Sequence, residues 1–171
     1  YVLFLKRENI DEIDIVNSNF KKVLADIHWY GWEEQVKFKQ IIDREDVDLM
    51  HFPHWNVPLA YTDPFVVTIH DLIMYHYPRR KASTLGPLAY WVKDKIMRLV
   101  VRHAVKKSKH VLTTSEFTKN DISKTLYVSP EKFTVTYQAP PGVIMAESDV
   151  SRFNFSKPFC LYVGNAYPHK N

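Results

Sequence analysis

Short apolar runs alternate with longer segments of helical period along this chain. We predict strands at runs rich in Val, Ile, Leu and Phe, which are residues 1–5, 23–27, 47–52, 65–69, 110–114, 133–137 and 159–163. Several of these runs are almost continuously apolar, which is typical of parallel strands covered on both faces. The pattern therefore predicts an α/β fold, with a parallel sheet and helices on both of its faces.

Three segments have the apolar spacing of amphipathic helices. The first covers residues 32–44 and the second covers residues 87–107, with Pro87 suited to its first turn. We expect the second helix to bury one stripe, made of Leu88, Val92, Ile96, Leu99, Val100, His103 and Ala104. A third helix should follow Ser115, which alone, or Thr113 together with Glu116, can cap its amide end, and should end near Leu126.

The character of the chain changes after residue 139. Prolines at positions 140, 141 and 158 bracket a polar segment of weak period, which we interpret as a linker. The prediction is one domain over 1–139, a linker over 140–158, and the start of a second domain over 159–171.

Composition excludes several classes of protein. The chain has 171 residues and a formal net charge of +4, and no run of 18 uncharged apolar residues occurs, so neither a transmembrane helix nor a retained signal peptide is expected. Cys160 is the only cysteine, so an internal disulfide cannot form and a reducing cytoplasm is the expected location. Four glycines are too few and too scattered for a G-x-G-x-x-G or P-loop motif.

Polar residues follow three of the predicted strands. His54 comes after the third, His70 and Asp71 after the fourth, and Ser115 with Glu116 after the fifth. Because ligands bind outside the carboxyl ends of parallel strands, these are the candidate site residues. An imidazole at such a position can exchange a proton or hydrogen bond with a substrate hydroxyl, and Asp71 could fix its tautomer.

Structural roles remain open for the same residues. His70 could hydrogen-bond a loop carbonyl while Asp71 caps the next turn, and Ser115 could serve only as a helix cap. A zinc or iron site could use His51, His54, His70 and Asp71, but their spacing matches no metal motif, so we expect no metal.

Basic residues are concentrated between Arg79 and His110, where ten Lys and Arg accompany one acid, Asp94. Helical spacing predicts a basic stripe made of Lys95, Arg98, Arg102, Lys106 and Lys109. Such a surface suits anionic lipid headgroups or a phosphate-bearing acceptor, nucleic acid being a second option and a solvated helix face a third.

Four motifs, taken together, resemble a known family. They are His51-Phe-Pro-His54, Val66-Val-Thr-Ile-His-Asp-Leu72, Thr113-Thr-Ser-Glu-Phe-Thr118 and Tyr162-Val-Gly-Asn-Ala-Tyr-Pro-His-Lys-Asn171. Their order and spacing are similar to those of the retaining glycosyltransferases of family 4, also called group 1. The resemblance implies a GT-B architecture, whose N-terminal Rossmann-like domain holds the acceptor and whose C-terminal domain holds a nucleotide-sugar donor.

The resemblance also implies roles for individual residues. His70 matches the family histidine beside the reacting sugar, and Lys170 matches the lysine that neutralises the donor diphosphate. Asn165 stands where many members carry Arg, after the glycine that Gly164 matches. His51, His54, Asp71, Ser115 and Glu116 are further candidates for the crevice. The family's first strand with its glycine-rich loop, and its E-x7-E segment, have no counterpart here, so we expect this stretch alone to be inactive.

The expected function is transfer of a hexose from a nucleotide sugar, such as GDP-mannose or a UDP-sugar, to a saccharide or lipid-linked acceptor. The resemblance implies no cofactor, no metal and no nucleic acid, and a cytoplasmic protein able to contact the inner membrane face peripherally. Two alternatives stay open, a non-catalytic module that binds an anionic partner through the 79–110 surface and a sugar-nucleotide epimerase.

Overall fold

The computed structural model describes residues 1–28, 30–78, 86–139, 160 and 162–164. The chain divides into two compact units, Tyr1–Tyr137 and Gln138–Asn171, and all helices and strands of the described residues belong to the first. The predicted linker over 140–158 lies outside the described residues, so the proposed domain boundaries stay a prediction.

Six parallel strands form two sheets in the described part of the chain. They are β1 (Val2–Leu5), β2 (Lys21–Leu24), β3 (Met50–Phe52), β4 (Phe65–Ile69), β5 (His110–Thr113) and β6 (Phe133–Val135). β1 pairs with β2, and the other four form a sheet in the order β3-β4-β5-β6. Six predicted strands are thus confirmed with shifted bounds. The second lies at 21–24 and not at 23–27, the third begins at 50 and not at 47, and the sixth ends at 135 and not at 137, while the first and fifth are each one residue shorter than predicted. Of the seventh, Cys160, Tyr162 and Val163 are described and are not in a strand.

The three predicted helices are present, with differences in detail. Residues 32–43 are helical, with a π-helical turn at Glu34–Phe38 before α1 (Lys39–Asp43). The other two are α3 (Pro87–Lys107) and α4 (Glu116–Leu126), which match the predicted bounds. A short helix α2 (Ile73–His76) and a 3-10 turn at Pro130–Lys132 were not predicted. The described elements therefore form an α/β, Rossmann-like arrangement.

The hydrophobic core lies between the four-stranded sheet and the helices. Phe65, Val67 and Ile69 alternate along β4 and are buried, while Val66 and Thr68 are half-buried. The same apolar cluster includes Val101 and Val105 of α3 and Ile122 and Leu126 of α4. Each such side chain contributes about 1.5–3 kcal/mol when fully buried. This packing holds the strand ends, and the polar residues that follow them, in fixed positions.

The prediction of which α3 residues are buried is wrong for the first half of the helix. Leu88, Val92, Ile96 and Leu99 are exposed, while Val100, Val101, Ala104 and Val105 are buried, and His103 is half-buried with its ring stacked 6.4 Å from that of Phe65. The helix has apolar residues on two faces, and only the face that includes the last two turns packs on the core. Periodicity identified the helix but did not identify which face would be buried.

Candidate active site at the carboxyl edge of the sheet

The carboxyl edge of the four-stranded sheet brings together side chains from three connections. His54 follows β3, His70 follows β4, and Ser115 follows β5. The rings of His54 and His70 are stacked, with centroids 6.2 Å apart and an interplanar angle of 29°. Since parallel strands all end at one edge, this placement follows from the strand register.

The backbone of His70 is held by residues at the start of α4. Its carbonyl oxygen accepts hydrogen bonds from Thr114 Oγ1 at 3.2 Å and from Thr118 Oγ1 at 3.0 Å. The side chain of His70 is exposed at the edge. The loop is therefore fixed through its main chain, which leaves the imidazole at the surface of the crevice.

Asp71 supports the loop that follows. Its Oδ1 accepts a hydrogen bond from the backbone N–H of Ile73 at 2.8 Å, which stabilises the turn into α2. This is the capping role that the sequence left open as an alternative. The Asp71 carboxylate also acts on its neighbour, since its negative charge raises the pKa of His54 slightly against the larger effect of burial.

Ser115 caps α4, and Glu116 lies beside it. The Ser115 hydroxyl oxygen accepts from the backbone N–H of Thr118 at 3.1 Å, the standard N-cap bond. Glu116 is exposed in the first turn, where its carboxylate lies 3.8 Å from Lys119 Nζ. The N-cap bond of Ser115 and the ion pair of Glu116 are structural contacts.

A buried polar chain behind His54 was not predicted. Asn56 Nδ2 donates to Glu34 Oε1, and the backbone N–H of Tyr30 donates to Glu34 Oε2 at 2.9 Å. Because the Asn56 amide group donates to the carboxylate, its oxygen accepts from His54 Nδ1 at 3.1 Å. Neutral His54 thus carries its proton on Nδ1, and its Nε2 is an acceptor.

Burial shifts the pKa values of this chain in opposite directions. Glu34 is only 5% exposed, and burial raises the pKa of its carboxyl group even though the hydrogen bonds from Tyr30 and Asn56 oppose the shift. Burial lowers the pKa of His54, against the hydrogen bond with Asn56, which favours the charged ring. A neutral imidazole is therefore favoured at the crevice near neutral pH.

The signal for Glu34 was weak in the sequence. It stands in the predicted first helix, and its partner Asn56 follows His54 by two residues, but 22 positions separate the carboxylate from the amide. Glu34 also lies in the π-helical turn, a local feature often found at functional sites. No motif spacing connects residues that only the folded chain brings together.

His51 does not join the side chains that follow the strand ends, His54, His70 and Ser115, which we call the strand-end group. It lies within β3, with its ring Nε2 2.8 Å from Thr68 Oγ1 on the neighbouring strand. Burial lowers its pKa. The predicted crevice position of His51 is therefore replaced by one on the face of the sheet, where it contacts a cross-strand partner.

A shallow cavity of about 220 Å³ opens beside His54, and His70 is not among the residues that line it. Its lining includes His54, Asp71, Tyr75 and Met97. Typical ligand pockets have volumes of about 300–1,000 Å³. This cavity by itself can therefore enclose only part of a large substrate.

Two groups of predicted binding residues have different outcomes. Lys170 and Asn165 lie outside the described residues. Of the basic stripe, Lys95, Arg102, Lys106 and Lys109 are exposed. Arg98 differs from the prediction, because its guanidinium makes contacts within the protein. It donates hydrogen bonds to Asp94 Oδ2 at 2.7 Å and to the Tyr75 carbonyl oxygen at 2.7 Å, and it lies over the Tyr75 ring. It is a structural cation.

Neither a metal-binding cluster nor a membrane-spanning helix occurs among the described residues. His, Cys, Asp and Glu side chains form no group of three that could hold a metal ion within these ranges. Within the same part of the chain, no helix combines the length and apolar composition that a membrane crossing requires.

The O-antigen chain mannosyltransferase RfbU of Salmonella typhimurium (strain LT2) is 26% identical over 157 residues, which is 92% of this chain and 40% of that protein. The chain thus spans less than half the length of this curated relative. The family described as Glycosyltransferase Family 4 matches residues 5–139, which is most of the chain and includes the whole strand-end group. The chain belongs to glycosyltransferase family 4.

Proposed function

We propose that the protein transfers a hexose from a nucleotide sugar to a hydroxyl group of a saccharide or lipid-linked acceptor, with retention of anomeric configuration. In this reaction the bond between the anomeric carbon and the nucleoside diphosphate breaks, and the diphosphate leaves with the electron pair. The acceptor oxygen forms the new bond on the same face of the sugar, and its proton passes to an oxygen of the departing diphosphate. Membership of family 4 and the similarity to a named mannosyltransferase support this reaction class.

The observation in this chain that supports the proposal is the pair of stacked imidazoles, His54 and His70, at the carboxyl edge of the sheet. His70 has its main chain fixed by two threonine hydroxyls, and His54 has its Nδ1 fixed by Asn56. Preorganised hydrogen-bonding groups of this kind can orient sugar hydroxyls beside a reacting carbon. We assign His70 to the hydroxyls nearest the reacting centre and His54 to the neighbouring part of the sugar or acceptor.

The donor diphosphate needs positive charge as it leaves. We propose that Lys170 supplies a cation there and that Asn165 contributes a neutral hydrogen bond, since an amide cannot replace a guanidinium. On this proposal no metal ion is required, because cationic side chains and helix amide groups stabilise the departing charge. Mannose is the first donor sugar to test, because the similar Salmonella protein is named a mannosyltransferase.

The proposal is tested in the full-length protein with the variant His70→Ala. Incubation with GDP-mannose, UDP-glucose and related donors, with and without saccharide acceptors, should give acceptor-dependent transfer from one donor class. His70→Ala should lower kcat about 100-fold or more, in the range of a lost catalytic hydrogen-bonding group. NMR of the first-formed product reports whether the anomeric configuration is retained.

His110→Ala is the matched control. This histidine begins β5, at the opposite edge of the same sheet, and its ring Nε2 lies 2.7 Å from Thr134 Oγ1. We expect near-normal turnover for this variant. Equal loss in both variants would attribute the effect to the fold, and normal turnover in His70→Ala would remove His70 from the reaction. Conversion of the nucleotide sugar without any acceptor would favour an epimerase instead.

A further inference from the structure

Glu34 places an ionisable side chain where packing alone does not require one. The residue is only 5% exposed, and its carboxyl group accepts hydrogen bonds from two neutral donors, the backbone N–H of Tyr30 and the side-chain amide of Asn56. Burial of a carboxylate destabilises a fold, whereas glutamine would fill the same space without a charge. Burial also raises the pKa of this carboxyl group. Buried groups with shifted pKa values are concentrated at functional sites, which points to a role for Glu34 in the chemistry.

The backbone fixes one end of this chain of hydrogen bonds. Tyr30 has a φ of 58°, in the left-handed region that residues other than glycine seldom adopt. Its N–H donates to Glu34 Oε2 at 2.9 Å. Because a backbone N–H can only donate, the atom of side chain 34 that faces it must be an acceptor. Both oxygens of a carboxylate are acceptors, so Oε1, which faces Asn56, is an acceptor as well.

The carboxylate then determines which way the Asn56 amide group points. Its NH2 group faces Glu34 Oε1, so its oxygen faces His54 Nδ1 at 3.1 Å and accepts a hydrogen bond from it. Tyr30 Oη lies farther from the same nitrogen, at 3.5 Å. A neutral imidazole has one protonated nitrogen, so His54 keeps a lone pair on Nε2. His54 also lines the cavity of about 220 Å³.

We propose that Glu34 and Asn56 are positioning residues, which hold His54 with Nε2 as a hydrogen-bond acceptor for a hydroxyl group of the saccharide that enters the cavity. This inference rests on the proposed sugar transfer and extends it to the residues behind His54. A fixed acceptor restricts the orientation of the bound sugar, which is the use of preorganised groups in catalysis. Hydroxyl groups of the donor sugar and of the acceptor have the same chemistry, and the kinetic experiment below distinguishes them.

Glu34→Gln tests the proposal because it reverses this chain at nearly the same side-chain volume. Glutamine must turn its oxygen toward the Tyr30 N–H, which places its NH2 group against Asn56. The Asn56 amide group must then turn over, so that it donates to His54 Nδ1 and leaves the ring proton on Nε2. Proton–nitrogen NMR of the full-length protein at about pH 8.5, where histidine rings are neutral, distinguishes the two tautomers. We expect Nδ1–H in the parent and Nε2–H in Glu34→Gln, the His54 signals being those absent from His54→Gln.

A second substitution should restore the tautomer. In Glu34→Gln with Asn56→Asp, the new amide donates to one oxygen of the new carboxylate, whose other oxygen accepts from His54 Nδ1–H. Two controls should keep Nδ1–H. Tyr30→Phe removes the hydroxyl group but keeps the backbone N–H, and Glu33→Gln makes the same chemical change in the exposed neighbour that binds Lys37.

Steady-state kinetics of the full-length protein connect the tautomer with sugar transfer. GDP-mannose and the saccharide acceptor are varied in turn. For one of them, kcat/KM should fall about tenfold in Glu34→Gln, through a higher KM and with kcat changed less than about threefold, because one hydrogen bond to the bound sugar is lost. The substrate whose KM rises is the one that His54 contacts. The double variant should recover the KM of the parent, and Glu33→Gln should keep it.

The tautomer distinguishes positioning from a structural role of Glu34, which predicts lower stability in Glu34→Gln with Nδ1–H unchanged. That result would overturn the proposal. So would Nε2–H in the parent or in Tyr30→Phe, a double variant that stays Nε2–H, or no rise in either KM. Absence of transfer by the parent would instead contradict the proposed function, and the NMR comparison, which needs no substrate, would still decide whether Glu34 sets the tautomer of His54.

Discussion

At the scale of single residues, Glu34 combines burial with a titratable group. Its carboxyl group is linked through Asn56 to His54, and burial raises its pKa. A raised pKa in the folded state means that folding favours the protonated carboxyl group. That contribution is fully present below the ordinary pKa and is lost as the pH rises through the folded value.

Substitution Glu34→Gln should therefore change how stability depends on pH. The unfolding free energy of the parent should fall relative to that of Glu34→Gln as the pH rises from acidic to neutral, because only the parent must ionise a buried group. Urea denaturation at a series of pH values measures the difference.

The neighbouring carboxylate provides the control for that experiment. Glu33 is exposed, and its bond with Lys37 lowers its pKa, so the difference between the parent and Glu33→Gln should have the opposite slope. Parallel pH profiles for the parent and Glu34→Gln would show that Glu34 does not titrate with a raised pKa.

The same group of residues shows how far the sequence alone could predict the candidate site. His54, His70 and Ser115 could be found because each follows a strand, and parallel strands share a carboxyl edge. Glu34 could not be found in this way, because its hydrogen bond with Asn56 depends on how the π-helical turn before α1 packs beside the loop that follows β3. His51 was assigned to the crevice through the family resemblance, although the predicted third strand, residues 47–52, already included it, and the structure places it within β3.

At the scale of elements, the start of α4 depends on one hydroxyl group. Ser115 Oγ accepts from Thr118 N–H, and Thr118 Oγ1 donates to the His70 carbonyl oxygen. Ser115→Ala should lower the unfolding free energy by about 1 kcal/mol, the usual effect of losing an N-cap. Chemical denaturation measures this change.

A second serine offers a comparison for the cap. Ser129 precedes the 3-10 turn at Pro130–Lys132 and makes no side-chain capping bond. Ser129→Ala should change the unfolding free energy by less than about 0.5 kcal/mol, as for an ordinary surface substitution. Equal effects of the two substitutions would mean that the bond from Thr118 does not stabilise α4.

The helix α3 shows what hydrophobic periodicity can and cannot decide. Its bounds were predicted correctly because Pro87 and the apolar spacing are local signals. Its buried face was not predicted correctly, because two stripes of apolar residues are equally regular. The exposed stripe has Leu88, Val92, Ile96 and Leu99, and the buried one has Val100, Val101, Ala104 and Val105. Which stripe packs inward depends on how much of the helix overlaps the sheet, a property of the tertiary fold.

At the scale of the whole molecule, the parallel sheet and its order follow from chain topology. Each strand of the larger sheet pairs with the next one along the chain, from β3 to β6, as strands that follow each other in sequence commonly do. The alternating apolar runs predicted the parallel sheet but not the order of its strands. They could not predict that β1 and β2 pair with each other in a separate two-stranded sheet.

The hydrophobic core also defines the smallest unit that should fold. All buried residues of its main cluster lie between Ile42 and Phe133, and the last strand ends at Val135. Among the described residues, the members of this cluster all belong to the first unit, Tyr1–Tyr137. The first unit therefore contains the packing needed for cooperative unfolding.

A truncated chain of residues 1–139 should accordingly keep a cooperative thermal transition, with a Tm within about 4 °C of that of residues 1–171, equivalent to about 1 kcal/mol. A shorter chain ending at Leu126 removes Phe133, which is buried opposite Val111 in the sheet, and should lose the transition. Calorimetry of the three chains measures both effects. Loss of cooperativity already at residue 139 would place essential packing in the second unit.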